Sequence, residues 1–469
     1  MGGLETTLER LLARRESHGR LRRLNIPRSD LVDFSSNDYL SLSQDQVLRN
    51  ALIAHLTNSD KKHSSSSSSR RAIGSGGSRL LDGNSTFAEN LEQKIADLHG
   101  SEAALLFTSA YDANVGLLSC VPGSEDVILY DNLIHASIHD GMRLSRATRK
   151  IHFKHDSIIR STRQLNIQKD GDNDIATIDT GSLEFVLRQL VDADRQIECG
   201  ASNVFICVEA LYSMDGDVAD LEYISDVVKR LLPYGNGYII VDEAHSVGIL
   251  GDSGGGLVCQ LGLQDRIWAR VVGFGKAFGC AGGAVLCSSI ARLYLVNYAR
   301  TLIYTTAMSF PSLASINAAY DYIVTGKAHE RREQLKVLIQ YCHIKLKGLH
   351  QSSRPTAAAL RVPGDLPSSP IIPVFTSHPK SLAQYCQESG FMIRPIVAPT
   401  VPLGQERVRI CLHASNTIPQ IDGLCGAIEA WLDTLGTKPT MRVEENGQTD
   451  VIAKEEVQDR RLKATEAKL

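Results

Sequence analysis

The sequence predicts an α/β protein, with a mostly parallel central sheet flanked by helices and a smaller α+β C-terminal region. Short apolar runs recur between residues 103 and 287, separated by helical patterns. They are continuous rather than alternating, which marks strands buried on both faces, the condition of parallel sheets. Two of these runs end in polar clusters, Asp242-Glu-Ala-His245 and Gly273-Phe-Gly-Lys276, and the sites of such sheets lie beyond the strands' carboxyl ends. A length of 469 residues suggests two or three domains.

The elements follow in order. Leu4 to Arg23 reads as an amphipathic helix, and Leu31-Val-Asp-Phe34 as a short strand; residues 1–47 form an N-terminal segment. The large domain is expected over 48–308. Its strands are Ala103–Phe107, Asp126–Tyr130, Val204–Val208, Tyr238–Val241, Arg270–Val272 and Ala284–Cys287. Two polar stretches interrupt it, near 60–72 with six consecutive serines and near 157–181. Neither carries enough apolar surface to order itself, so both read as disordered insertions. A smaller C-terminal domain is expected over 309–435, with strands at Ile371–Val374 and Val408–Cys411, and 436–469 forms a polar tail.

Composition narrows the partners. Lysine and arginine number 50 against 53 acidic residues, and no basic stripe is interleaved with aromatics, so nucleic acid is not expected. No apolar run reaches the roughly 18 residues that cross a bilayer, and no membrane association is expected. The ten cysteines are scattered singly, with no zinc spacing. Asp140, His152 and His155 likewise show no metal spacing and read as structural or exposed, so no metal is expected. At the N-terminus, acidic Glu5, Glu9 and Glu16 argue against a transit peptide. Ala467-Lys468-Leu469 differs by one residue from the S-K-L peroxisomal address, which makes the peroxisome the expected compartment and the cytoplasm the alternative.

Lys276 and Asp242 stand where a pyridoxal cofactor needs them: a lysine for covalent attachment, and a carboxylate that keeps the ring nitrogen protonated. Taken singly, each also reads as a solvated lysine or a strand-end cap. Ser109-Ala110-Tyr111 follows a strand and opens a helical pattern, a placement suited to phosphate. Gly74-Ser-Gly-Gly-Ser78 lacks the P-loop spacing and reads as a turn.

These residues, with a series of short motifs in fixed order, resemble the α-oxoamine synthases, pyridoxal enzymes of fold type I. The resemblance runs from about Leu12 to Leu432. It rests on Phe34-Ser-Ser-Asn-Asp-Tyr-Leu40, Gly74-Ser-Gly-Gly-Ser-Arg-Leu-Leu81, His135-Ala-Ser137, Ser213-Met-Asp-Gly-Asp217 and Asp242-Glu-Ala-His245. Further on it rests on Gly275-Lys-Ala-Phe-Gly279, Leu302-Ile-Tyr-Thr-Thr-Ala-Met308, Pro399-Thr-Val-Pro402 and Arg407-Val-Arg409.

The resemblance implies pyridoxal 5'-phosphate held by Lys276, which also removes the substrate's α-proton, and by Asp242 at the ring nitrogen. It implies His135 stacked on the ring, Ser213 and His245 near the ring oxygen, and Ala110 and Tyr111 at the phosphate. Thr305 and Thr306 match hydroxyls supplied by the other subunit of a homodimer. Arg409, with Asn37 as its helper, matches the residue that grips the amino-acid carboxylate. Thr400 matches a substrate contact, and Arg22 the arginine that meets the far carboxylate of the acyl donor.

The chain also departs from the family. Gly273 stands where a threonine usually serves the phosphate. Ala110 and Ala210 replace glycines, Ala88 replaces a frequent histidine, and Val397 stands where the nearest branch often has arginine. The implied reaction is decarboxylative condensation of L-alanine with an acyl-CoA, pimeloyl-CoA first. The alternatives are a sister enzyme using glycine, serine or another acyl-CoA, an aminotransferase, or a non-catalytic partner subunit, which typically lacks the lysine.

Overall fold

A computed structural model of the chain describes residues 2–18, 21–24, 26, 28–58, 73–159, 179–351 and 357–436. The serine run at 60–72, most of the second insertion and the tail with Ala467-Lys468-Leu469 lie outside the described residues. Helix α1 (Gly3–Ser17) ends earlier than the expected Arg23, where His18 Nδ1 bonds the Arg14 carbonyl at 2.7 Å. The segment then reaches β1 (Val32–Asp33), and α2 (Gln46–Asn58) and α3 (Thr86–His99) precede the main sheet.

Seven strands form that sheet: β2 (Ala103–Phe107), β3 (Val127–Asp131), β4 (Arg149–Phe153), β5 (Val204–Glu209), β6 (Gly237–Asp242), β7 (Ala269–Gly273) and β8 (Gly283–Cys287). Their spatial order is β2-β8-β7-β6-β5-β3-β4. Only β8 runs against its neighbours; the pairings of β3 with β4 and β5, and of β6 with β5 and β7, are parallel.

The pleat sends alternate residues into two cores. Val127, Leu129, Ile206, Val208 and Val241 pack with Leu187, Leu221 and Ile224 from helices Leu183–Ala193 and Leu221–Leu231. Ile128, Phe205, Cys207, Ile240 and Val271 pack with Leu117, Ile138 and Leu295 on the other face. Those three come from α4 (Ala110–Cys120), α5 (Ala136–Leu144) and helix Ser289–Tyr298. Burial on both faces is what makes the runs continuous.

The sequence pattern misses β4. It is an edge strand whose side chains are mostly half-buried, and only Ile151 and Phe153 in it are apolar. The second polar stretch starts later than expected: Ile158 and Ile159 are buried, and Ile159 pairs with Ala219.

The C-terminal region contains β9 (Ile371–Phe375), β10 (Phe391–Met392), β11 (Arg394–Ile396) and β12 (Arg407–Cys411). Strands β11-β12-β9 form an antiparallel sheet, while β10 pairs in parallel with β1. A third core, with Phe34, Tyr39, Leu40, Val374, Ile410, Ile428 and Trp431, therefore joins the first and last parts of the chain. This pairing carries the Asn37 segment to the same place as β12 and the ends of β5, β6 and β7.

Candidate active site

Lys276 follows β7 in the turn Phe274–Gly279, where the Gly279 N–H closes on the Lys276 carbonyl at 2.8 Å. Burial pulls its ammonium below the ordinary lysine range, against the opposing pull of Asp242 and Glu209. The amine is thus easier to deprotonate, as a nucleophile or base requires.

Asp242 closes β6, almost fully buried. Its Oδ1 accepts the Ala244 N–H at 2.9 Å and its Oδ2 accepts Asn114 Nδ2 at 2.7 Å. The second Nδ2 hydrogen of Asn114 goes to Ser137 Oγ at 3.0 Å, and Ser137 Oγ meets His135 Nδ1 at 2.8 Å. Because Nδ1 also accepts the Ser137 N–H at 3.2 Å, it carries no proton, and neutral His135 holds its hydrogen on Nε2. Desolvation lowers the His135 pKa, while Asp242 opposes the shift. The first network is therefore Asp242–Asn114–Ser137–His135, with a charge at one end and an imidazole at the other.

A second network starts from Arg409 on β12. Its guanidinium donates to Asn37 Oδ1 at 2.6 Å and to the Ser213 carbonyl at 3.0 Å. Tyr39 Oη donates to the same Asn37 oxygen at 3.1 Å and meets His245 Nδ1 at 2.8 Å. Having given its one hydrogen to Asn37, Tyr39 accepts from His245, so Nδ1 carries the proton and Nε2 is left as an acceptor. Desolvation, with Lys276 and Arg409 adding to it, holds His245 well below its usual value and keeps the ring neutral. Beside both networks, Glu209 pairs in register with Asp242 at the end of β5. Burial, reinforced by Asp242, pushes its carboxyl well above the usual carboxylate range, against the opposing pull of Lys276.

Ser109 caps α4 by accepting the Asp112 N–H at 3.0 Å. The first N–H groups of a helix have no partner within it, and at Ala110 and Tyr111 they suit a phosphate. The close packing there requires glycine: a β-carbon at Gly283 would lie 2.5 Å from the Ala110 nitrogen. At Gly273 a β-carbon would lie 3.0 Å from Ala244 Cβ and 3.3 Å from Ala110 Cβ. Two departures from the family pattern thus meet in space, since the Ala110 methyl crowds the place a side chain at 273 would take.

The structure brings together Lys276, Asp242, His135, His245, Ser213, Asn37 and Arg409. Ala110 lies against Gly273, next to them. Tyr111 turns its hydroxyl to Asp140. Thr305 and Thr306 line a separate pocket with Arg79, Thr108 and Met308 of the same chain. Thr400 is exposed, its N–H on the Val397 carbonyl at 3.0 Å, and Arg22 is exposed beyond α1; among the described residues, neither hydrogen-bonds to the two networks.

Sequence reasoning missed Asn114, Tyr39, Ser137 and Glu209 as site residues. Asn114 had a signal, a lone amide inside an otherwise apolar stretch of α4. A carboxylate at Asp242 that would keep a ring nitrogen protonated, an amine at Lys276 and open helix N–H groups for a phosphate are the set of groups that pyridoxal phosphate needs, and the residues present fit it.

Comparison with known proteins agrees. The profile of the family "aminotransferase class I and II" matches residues 29–428. The 8-amino-7-oxononanoate synthase of Emericella nidulans is 45% identical over 432 residues, covering 92% of this chain and 97% of that protein. The aminoacyl transferase sphA of Aspergillus fumigatus is 33% identical, covering 91% and 85%. In fold, the serine palmitoyltransferase of Sphingomonas wittichii superposes with a TM-score of 0.74 at 21% identity, covering 93% and 100% of the two chains. The chain belongs to the aminotransferase class I and II family and, within it, to the α-oxoamine synthases, pyridoxal-phosphate-dependent acyltransferases.

Proposed function

We propose that this chain condenses L-alanine with pimeloyl-CoA, releasing CoA and carbon dioxide and giving 8-amino-7-oxononanoate. The observation that carries the reading is Arg409, fixed by Asn37 and the Ser213 carbonyl in the network that ends at His245, with Lys276 alongside. The 45% identity to a protein named for this product supports the choice of substrates.

Bound pyridoxal phosphate supplies an electron sink for negative charge at the amino acid's α-carbon, both after proton removal and after loss of carbon dioxide. The chain's residues do the rest. Arg409 orients the substrate carboxylate as a planar fork, a task lysine performs poorly. Lys276, its basicity lowered by burial, takes the α-proton and later returns one. Asp242 holds a proton at the ring nitrogen. His245, its pKa held down by burial, would offer Nε2 to the cofactor's ring oxygen, and His135 would cover the ring. Thr305 and Thr306 complete the site of the neighbouring subunit in a homodimer, with Thr400 and Arg22 contacting the substrates.

The test is purified protein given pyridoxal phosphate, L-alanine and pimeloyl-CoA, with product identified by mass and CoA release followed beside Lys276→Ala. Product from the wild type alone is expected; no CoA release with any acyl-CoA sinks the reading. A second reading, a sister enzyme that uses glycine or serine or a different acyl-CoA, is supported by the 33% identity to a protein named an aminoacyl transferase. Exchange of the α-proton in deuterated water, compared among alanine, glycine and serine, separates the two. Mixing Lys276→Ala with Thr306→Ala protein tests the shared site: restored activity requires a dimer whose sites draw on both chains.

A further inference from the structure

We propose that His155 is a positioning residue, an imidazolium strut that fixes the His135 loop and the Ser213 loop relative to one another. This rests on the cofactor lying between those loops, as in the proposed function. His155 opens a short turn just after β4 and is buried. Its Nδ1 lies 2.9 Å from Asp131 Oδ2 and its Nε2 2.7 Å from Asp217 Oδ2. Carboxylates only accept, so a ring with one at each nitrogen carries protons on both. The two acids sit on opposite sides of the ring and share no point at which a metal could lie. Tyr212 closes one face, edge-on, with ring centres 4.3 Å apart.

Each acid shapes one loop. Asp131 ends β3; its Oδ1 accepts the Leu133 N–H at 2.7 Å and its carbonyl accepts the Ile134 N–H at 3.2 Å, which sets the turn into His135. Asp217 accepts the Tyr212 N–H on its carbonyl at 3.0 Å and so closes the loop that carries Ser213. The backbone of His155 is pinned as well, its N–H donating to Asn132 Oδ1 at 3.0 Å. The Ser213 loop is also gripped from the C-terminal region, through Arg409 on the Ser213 carbonyl and Ser369 Oγ on the Gly216 carbonyl at 2.7 Å. His155 is thus the large sheet's hold on a loop that the other region holds too.

Two measurements test this. Nitrogen NMR of histidine-labelled wild-type holoenzyme at pH 8 is expected to show His155 protonated at both ring nitrogens; a neutral ring overturns the strut. Titration of the apo-protein with pyridoxal phosphate is expected to give an affinity at least about tenfold weaker in His155→Gln, the scale of one lost charge-assisted bond. Asp217→Asn, a milder change at a partly exposed side chain, is expected to weaken it in the same direction and serves if His155→Gln does not fold. Affinity within twofold of wild type in the folded variants overturns the proposal. A wild type that binds no pyridoxal phosphate overturns the functional reading instead, and the NMR experiment then still decides whether the strut exists.

Discussion

Tyr39 decides which nitrogen of His245 carries a proton, and it does so from full burial, where an unmatched polar group is costly. In Tyr39→Phe the His245 Nδ1–H loses its acceptor, while Asn37 keeps Arg409. We predict a stability loss of about 1–3 kcal/mol by urea unfolding, together with a rise in KM for the amino acid; unchanged stability would mean that the Tyr39–His245 bond contributes nothing. Gly273 offers a second test. Gly273→Ser puts a β-carbon 3.0 Å from Ala244 Cβ, and overpacking of this kind costs about 1–3 kcal/mol. Adding Ala244→Gly should recover part of that loss; simple additivity in thermal melts would show that the crowding is not at Ala244. Lys276 and Asp242 were legible because a charge just at or past the end of an apolar strand stands out, whereas Arg409, in the middle of β12, was legible only through the resemblance. Tyr39 and Asn114 were not, because a buried hydroxyl or amide declares itself only through partners distant in sequence.

Among the elements, the loop Ser213–Asp217 is where the two regions meet. Arg407, buried on β12, pairs with Asp215 of this loop and lies over the Phe375 ring at 4.5 Å. Burial lowers its pKa to about 10. Asp215→Asn strands that cation, and we predict a loss of about 3 kcal/mol in unfolding free energy, the scale of breaking a buried pair. The other anchor makes a pH prediction. Burial alone would lower the His155 pKa, but the bonds to Asp131 and Asp217 outweigh it and raise it to about 10. A raised folded-state value stabilises fully below the ordinary histidine range, and the contribution fades as pH climbs through that range toward about 10. The stability gap between wild type and His155→Gln should therefore be larger at pH 6 than at pH 9; a gap independent of pH would contradict the ion pairs. The strands of the main sheet were readable to within about a residue because both faces are apolar, which is why the half-covered edge strand β4 escaped. His155, read as structural or exposed, had no sequence signal, since its two acids lie 24 and 62 positions away.

At the scale of the whole molecule, the chain's beginning belongs to its end. The Phe34 N–H and carbonyl bond Met392 and Cys411, at 3.0 and 2.9 Å, and the Tyr39 carbonyl accepts the Ala414 N–H at 2.8 Å. Asn37 therefore reaches Arg409 as part of the C-terminal layer, an arrangement no local pattern could reveal. By contrast, α1 buries none of its residues, and Leu4, Leu8, Leu11 and Leu12 are exposed. Removing Gly2–Leu24 should then leave the unfolding free energy nearly unchanged, whereas Phe34→Ala should cost about 3–5 kcal/mol as a cavity in the shared core. The same truncation separates two functions of the N-terminus. If Arg22 meets the far carboxylate of pimeloyl-CoA, the truncated enzyme will exchange the alanine α-proton at the wild-type rate but show a raised KM for the acyl donor. Arg22→Ala will reproduce the defect, and a donor without the far carboxylate will be spared it. Loss of proton exchange together with acyl transfer would instead tie α1 to the Lys276 site itself, through a contact not made among the described residues of the single chain.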